Sequence, residues 1–207
     1  VKLRTSLMFC MTADKERPCT SFAVTSSKPS EGKSLTAANI AISYAMLGKK
    51  VLLIDADMRK PTQRRLWRVE KPTGLCDFLA KISKLELDKV KDLPLWIVCT
   101  GTIPPNPSEL LSSERMKHFV EESAKVYDYI IIDTPPINTV ADAQIVSTYV
   151  DGVVLVVKSG DTTQDELNEA IDAVRRAGGN LCGTVLNDLN MKSVKYAYKY
   201  KWGQIRI

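Results

Sequence analysis

Six short runs of apolar, mostly β-branched residues recur along the chain, at 22–25, 51–54, 95–99, 129–132, 153–157 and 183–186. Several are apolar throughout instead of alternating with polar residues. That is the pattern of strands buried on both faces of a parallel sheet. Between them, apolar positions recur at helical spacing near 33–47, 107–126, 140–149 and 165–177. The last of these has Thr163 or Asp165 to cap its start, Glu166 in its first turn, and Gly178 and Gly179 to end it. The stretch 60–93 has no regular period and predicts short helices at most. Strand and helix in alternation predict a doubly wound α/β domain, with a mostly parallel sheet flanked by helices. That domain is assigned to residues 1–190, and residues 191–207 are assigned to a tail.

Composition narrows the chemistry. The chain has 207 residues, enough for one well-filled core, and 44% hydrophobic with 26% charged residues is an ordinary globular balance. A single histidine, His118, argues against a histidine-centred triad or a multi-histidine metal site. The five cysteines are scattered and never spaced Cys-x-x-Cys, so they read as reduced thiols. No run of apolar residues is long enough to span a bilayer. The first residue is Val1 and not Met, so further chain upstream is expected. The net charge of +5 is unevenly spread: no acidic residue follows Asp188, while Lys192, Lys195, Lys199, Lys201 and Arg206 do. Without those five, 24 basic residues face 24 acidic ones, leaving a neutral body with a basic tail.

The segment Ser26-Ser27-Lys28-Pro29-Ser30-Glu31-Gly32-Lys33-Ser34 follows the first run and opens the first helix. A phosphate-binding loop needs that context, because backbone N–H groups and the positive helix end then surround a β-phosphate. Lys33 is placed to reach the β- and γ-phosphates, and the Ser34 hydroxyl to ligate Mg²⁺. The nucleotide-binding residues are taken as Ser27, Lys28, Pro29, Ser30, Glu31, Gly32, Lys33, Ser34 and Leu35. Two positions depart from the common Gly-x4-Gly-Lys-Ser/Thr pattern. Ser27 replaces its first glycine, and Leu35 stands where a second hydroxyl is frequent.

Two apolar runs end in carboxylates: 51–54 in Asp55-Ala56-Asp57, and 129–132 in Asp133-Thr134-Pro135-Pro136. The carboxyl ends of strands in an open parallel sheet share one crevice. Asp55, Asp57 and Asp133 should therefore converge near Lys33 and Ser34. The alternative for each is a helix-capping aspartate.

These residues resemble the bacterial tyrosine kinases that regulate capsular and exopolysaccharide synthesis, within the deviant P-loop ATPase class. The resemblance rests on the loop, on 51–57 followed by Met58-Arg59-Lys60-Pro61, on 130–136, on the proline-rich stretch 101–111, and on Tyr196-Ala-Tyr198-Lys-Tyr200. It covers nearly the whole chain. It implies ATP and Mg²⁺ as cofactors, with Ser34, Asp55 and Asp133 as metal ligands and Lys33, Asp55, Asp57 and Asp133 as the catalytic set. Asp55 would activate the tyrosine hydroxyl, with Asp57 assisting. Asn187 matches a position that contacts adenine, and Asp188 stands where the family often has Arg. Lys28 sits where partitioning ATPases place a lysine that reaches across a dimer. Arg4 resembles the last arginine of a ring-assembly motif. Implied partners are a membrane-anchored polysaccharide co-polymerase or activator, further copies of the chain, and an opposing tyrosine phosphatase, with no nucleic acid. Implied localisation is cytoplasmic, at the inner face of the cell membrane through a partner or an upstream segment. The competing reading is a non-kinase, dimeric partitioning-type ATPase switch.

The tail carries the substrate expectation, with Tyr196, Tyr198 and Tyr200 as sites of autophosphorylation between subunits. Their period of two also fits one face of a terminal edge strand. The interleaved lysines are expected to favour docking toward the site carboxylates until phosphate, at about −1.5 to −2 charges per tyrosine, reverses the sign.

Overall fold

A computed structural model describes residues 2–10 and 19–189. In chain order its elements are α1 (Lys2–Cys10), β1 (Thr20–Ser26), α2 (Lys33–Ala45), β2 (Val51–Asp55), α3 (Gln63–Trp67), α4 (Leu75–Leu79), β3 (Asp88–Lys89) and β4 (Leu95–Val98). There follow α5 (Pro107–Ser112), α6 (Glu114–Ala124), β5 (Tyr129–Asp133), α7 (Asp142–Ser147), β6 (Gly152–Lys158), α8 (Gln164–Arg176) and β7 (Leu181–Asn187). The seven strands form one sheet in the order β3-β4-β2-β5-β1-β6-β7. Every pairing is parallel except that of β3 with β4.

Period-two geometry explains the continuous apolar runs, because each strand sends alternate residues to two covered faces. Phe22, Val24, Leu53, Ile131 and Val154 pack on one face beneath α2, joined by Leu7 of α1. Ala23, Leu52, Ile54, Ile130, Ile132 and Leu155 pack on the other with residues of α6, α7 and α8. β5 lies between β1 and β2, pairing Val24 with Asp133 on one side and Asp55 with Asp133 on the other. This register brings the loop after β1 and both strand-end carboxylates to one rim of the sheet.

Four elements differ from the sequence expectation. The stretch 107–126 is two helices, broken at Ser113, whose extended backbone (φ −65°, ψ 147°) interrupts the first and whose hydroxyl accepts from Met116 N to cap the second. Pro107 occupies the first turn of α5. The stretch 140–149 contributes only α7, and α1 and the two-residue β3 are additions. No helix among the described residues is long and apolar enough to cross a membrane.

Candidate active site

The loop after β1 is held by side chains of its own sequence. Thr25 Oγ1 donates to Pro135 O at 2.8 Å, tying the loop base to the turn after β5. Glu31 is buried and acts as an internal staple. Its carboxylate accepts from Ser27 Oγ at 2.8 and 2.9 Å, from Lys28 N at 2.9 Å, and from Thr162 Oγ1. Ser27 therefore has a use for the side chain that the common pattern lacks at that position. The loop turns through two left-handed residues, Ser30 (φ 67°) and Gly32 (φ 89°). A β-carbon on Gly32 would lie 2.1 Å from Asn187 Nδ2, so the position needs glycine for space as well as for φ. Asn187 Nδ2 donates to Glu31 O at 3.0 Å, which joins the end of β7 to the loop. Asp188, the next residue, pairs with Lys158 at 3.7 Å. Lys28 Nζ donates to Asp161 O at 2.9 Å and to Glu166 at 3.1 and 3.2 Å, all within its own chain.

The expected carboxylates do converge. Lys33 Nζ donates to Asp57 Oδ2 at 2.7 Å and to Ser34 Oγ at 3.2 Å, and lies 3.5 Å from Asp133 Oδ1. Burial works against the charge of Lys33, but Asp133 and Asp57 more than offset it and hold its pKa above the ordinary range. Burial, and then the charge of Asp133, pushes Asp55 up to about 8. Burial likewise raises Asp133, against the opposing pull of Lys33 and its hydrogen-bond donors.

The three carboxylates are differently placed. Asp55 is fully buried, and its oxygens accept from Asp57 N at 3.3 Å, Thr62 N at 3.1 Å and Gln63 N at 2.9 Å. Asp57 borders an open cleft of about 480 Å³ together with Lys33, Ser34, Lys60, Arg65 and Pro135. Asp133 Oδ1 is buried without a hydrogen-bond partner. A carboxylate oxygen that accepts no hydrogen bond, beside a serine hydroxyl, suits a hard divalent cation, so Ser34 and Asp133 fit the expected metal set. Asp55, with both oxygens taken by backbone N–H groups, fits it less well. The tail lysines were expected to be drawn to these carboxylates. The tail lies outside the described residues; among the described ones Asp55 and Asp133 are buried, Asp57 is paired with Lys33, and the exposed charges bordering the cleft are cationic.

One residue of this site carries no sequence signal. Gln63 is fully buried, and its Nε2 donates to Ser34 O and to Asp133 Oδ2, each at 2.9 Å. Its Oε1 accepts from Trp67 Nε1 at 3.0 Å. A second cluster joins Arg59 to Asp142, with Nε at 2.9 Å and Nη2 at 3.2 Å, and Ser108 Oγ donates to the same carboxylate at 2.6 Å. Arg4, on α1, donates to Ser43 O at 2.8 Å within the chain. Tyr196, Tyr198 and Tyr200 lie outside the described residues.

A phosphate loop between a buried parallel strand and a helix, with a carboxylate at the end of each of two adjacent strands, defines a P-loop nucleotide-binding protein of the partitioning-ATPase-like class. A family model described as an AAA domain matches residues 20–181. The chain is 43% identical over 199 residues to the tyrosine-protein kinase YwqD of Bacillus subtilis (strain 168), covering 95% of this chain and 83% of that protein. It is 38% identical over 202 residues to the putative tyrosine-protein kinase CapB of Staphylococcus aureus, covering 96% and 87%. Among solved structures, the kinase domain of the Escherichia coli tyrosine kinase ETK superposes with a TM-score of 0.86 at 33% identity, covering 96% of this chain and 78% of that one. The cell-division ATPase MinD of Pyrococcus furiosus shares the fold at a TM-score of 0.68 and 20% identity. The chain belongs to the bacterial tyrosine kinases.

Proposed function

We propose that this chain transfers the γ-phosphoryl group of ATP to tyrosine hydroxyls, its own Tyr196, Tyr198 and Tyr200 among them, with one subunit acting on the tail of another. The carrying observation is the meeting of Lys33 with Asp57 and Asp133 beneath the loop, beside an open cleft.

Phosphoryl transfer passes through a loose transition state, so the protein mainly positions groups and neutralises charge. Loop N–H groups and Lys33 hold the phosphates. Ser34 and Asp133 would hold Mg²⁺, which when bound supplies positive charge to the phosphoryl oxygens. The bond from the γ-phosphorus to the bridging oxygen breaks as the tyrosine oxygen bonds to that phosphorus, and ADP leaves. Tyrosine has a pKa of about 10 and needs somewhere to send its proton. The Asp55–Asp57 pair is assigned that role: Asp57 borders the cleft and accepts the proton, and Asp55 behind it accepts the Asp57 backbone N–H and holds that carboxylate in place. A tyrosine held in line gains the proximity advantage of a pre-positioned reactant, up to about 7–11 kcal/mol in favourable cases.

A relative in Klebsiella pneumoniae is named a putative tyrosine-protein kinase in cps region, which supports a role in capsular or exopolysaccharide synthesis. A chimerical protein, CapA2B2, is a structural neighbour at a TM-score of 0.85. A membrane-anchored activator, an opposing phosphatase and a homo-oligomer complete the reading, with the chain held at the inner membrane face by its partner. Incubation with Mg-ATP followed by phosphotyrosine detection tests it. Signal in the wild type and none in Lys33→Met supports the kinase. ADP release without phosphotyrosine supports the partitioning-type switch instead.

A further inference from the structure

The four cations bordering the cleft over Asp57 are not equivalent. Lys33 is committed to Asp57 and Asp133. Arg59 is committed to the buried carboxylate of Asp142. Lys60 and Arg65 are exposed and have no carboxylate partner among the described residues. Among the described residues, the only acid bordering the cleft is Asp57, which already faces Lys33. Among the described residues the cleft surface thus holds two unpaired cations and no unpaired anion.

Their position matters as much as their charge. Lys60 follows Asp57 by three residues, and its backbone N donates to Asp57 Oδ1 at 3.0 Å, so its Cα is fixed close to the reacting carboxylate. Arg65 lies on α3, whose first residue, Gln63, is pinned to Ser34 and Asp133. Both side chains are therefore anchored by backbone that the site itself holds in place. The same cleft is bordered by apolar Leu66 and Val140, surface suited to a phenol ring.

We infer that Lys60 and Arg65 are specificity-determining residues that select acceptor tyrosines flanked by acidic residues. This inference rests on the kinase reading and names its substrate class. A phenol entering over Asp57 brings its neighbours in sequence to the cleft mouth, where carboxylates meet two free cations and lysines meet repulsion. The chain's own tail has lysines around its tyrosines and the wrong sign for this mouth. Its modification depends on the high effective concentration of a segment carried by a neighbouring subunit, and not on charge. Acidic acceptors on separate proteins need no such tether.

The test uses the full chain with Mg-ADP and two fluorescent peptides, Glu-Glu-Phe-Glu-Glu and Lys-Lys-Phe-Lys-Lys, in which phenylalanine replaces the acceptor. Exposed ion pairs are individually weak, so the expected preference by anisotropy is about tenfold for the acidic peptide at low ionic strength, shrinking as salt is added. The double variant Lys60→Glu/Arg65→Glu reverses the preference, and Lys60→Ala/Arg65→Ala, which adds no new charge, abolishes it. Equal binding of both peptides to the wild type overturns the inference, as does an unchanged preference in either variant. Loss of fluorescent ADP binding in step with loss of peptide binding would reassign the two cations to nucleotide phosphates, and that also overturns it. The kinase reading is judged separately, by phosphate transfer to the tyrosine versions. Absent transfer with an intact anisotropy preference counts against the kinase and not against the charge selection.

Discussion

At the scale of single residues, the site is a set of carboxylates whose charge is managed by one lysine and one amide. Gln63 shows how strongly. Removing its side chain takes a donor from Asp133 Oδ2 and Ser34 O in a buried setting, and the acceptor from Trp67 Nε1, which is half-buried. Gln63→Ala should therefore cost about 1–3 kcal/mol in urea unfolding, the desolvation penalty of an unsatisfied buried group. A change within error of zero would mean that Asp133 finds another donor. Asp55 makes a prediction of opposite character. Its folded pKa of about 8 lies above its ordinary 3.8, so the native state binds its proton more tightly than the unfolded chain does. Its contribution to stability is full below about pH 3.8 and is lost as pH rises through about 8. Thermal melts without nucleotide should fall less between pH 4 and 8 in Asp55→Asn than in the wild type. Parallel pH profiles for the two proteins would show that Asp55 keeps its ordinary pKa.

At the scale of elements, the loop is rigid because its conformation is over-determined. Gly32→Ala faces both a left-handed φ of 89° and a contact of 2.1 Å with Asn187. The substitution should destabilise the protein by about 1–3 kcal/mol in denaturant titration. Adding Asn187→Ala should recover only part of the loss, because the side-chain contact is relieved while the φ strain remains. Full recovery would show that space alone sets the requirement.

How much of this was legible in sequence depends on how far apart the partners lie. The strands at 51–54 and 129–132 announced themselves because both faces are covered. The loop was legible because strand, Gly-Lys-Ser and helix are contiguous. The role of Gln63 was not, since its partners stand 29 and 70 residues away. The break at Ser113 was hidden because its apolar spacing stays helical on either side, and only the cap geometry marks the interruption. The use of Ser27 in place of glycine became intelligible only with Glu31 folded back onto it.

At the scale of the whole molecule, a neutral body carries a basic, tyrosine-bearing tail, and the account requires that body and tail meet between subunits. Mixing two chains, neither of which can phosphorylate a tail of its own, tests that requirement. A Lys33→Met chain with its tail is combined with a wild-type chain truncated after residue 190. Phosphotyrosine should form on the Lys33→Met chain, at a rate that rises with total protein concentration. Its absence, with each intact wild-type molecule modifying itself at a rate per molecule independent of concentration, would place the reaction within one subunit.

The central claim is that the site defined by Lys33, Asp57 and Asp133 phosphorylates the chain's own tyrosine cluster. Mass spectrometry of the tail peptide after incubation with Mg-ATP tests it most directly. The account predicts phosphate on one or more of Tyr196, Tyr198 and Tyr200 in the wild type, and none in Lys33→Met. ATP turnover by the wild type with an unmodified tail would contradict it.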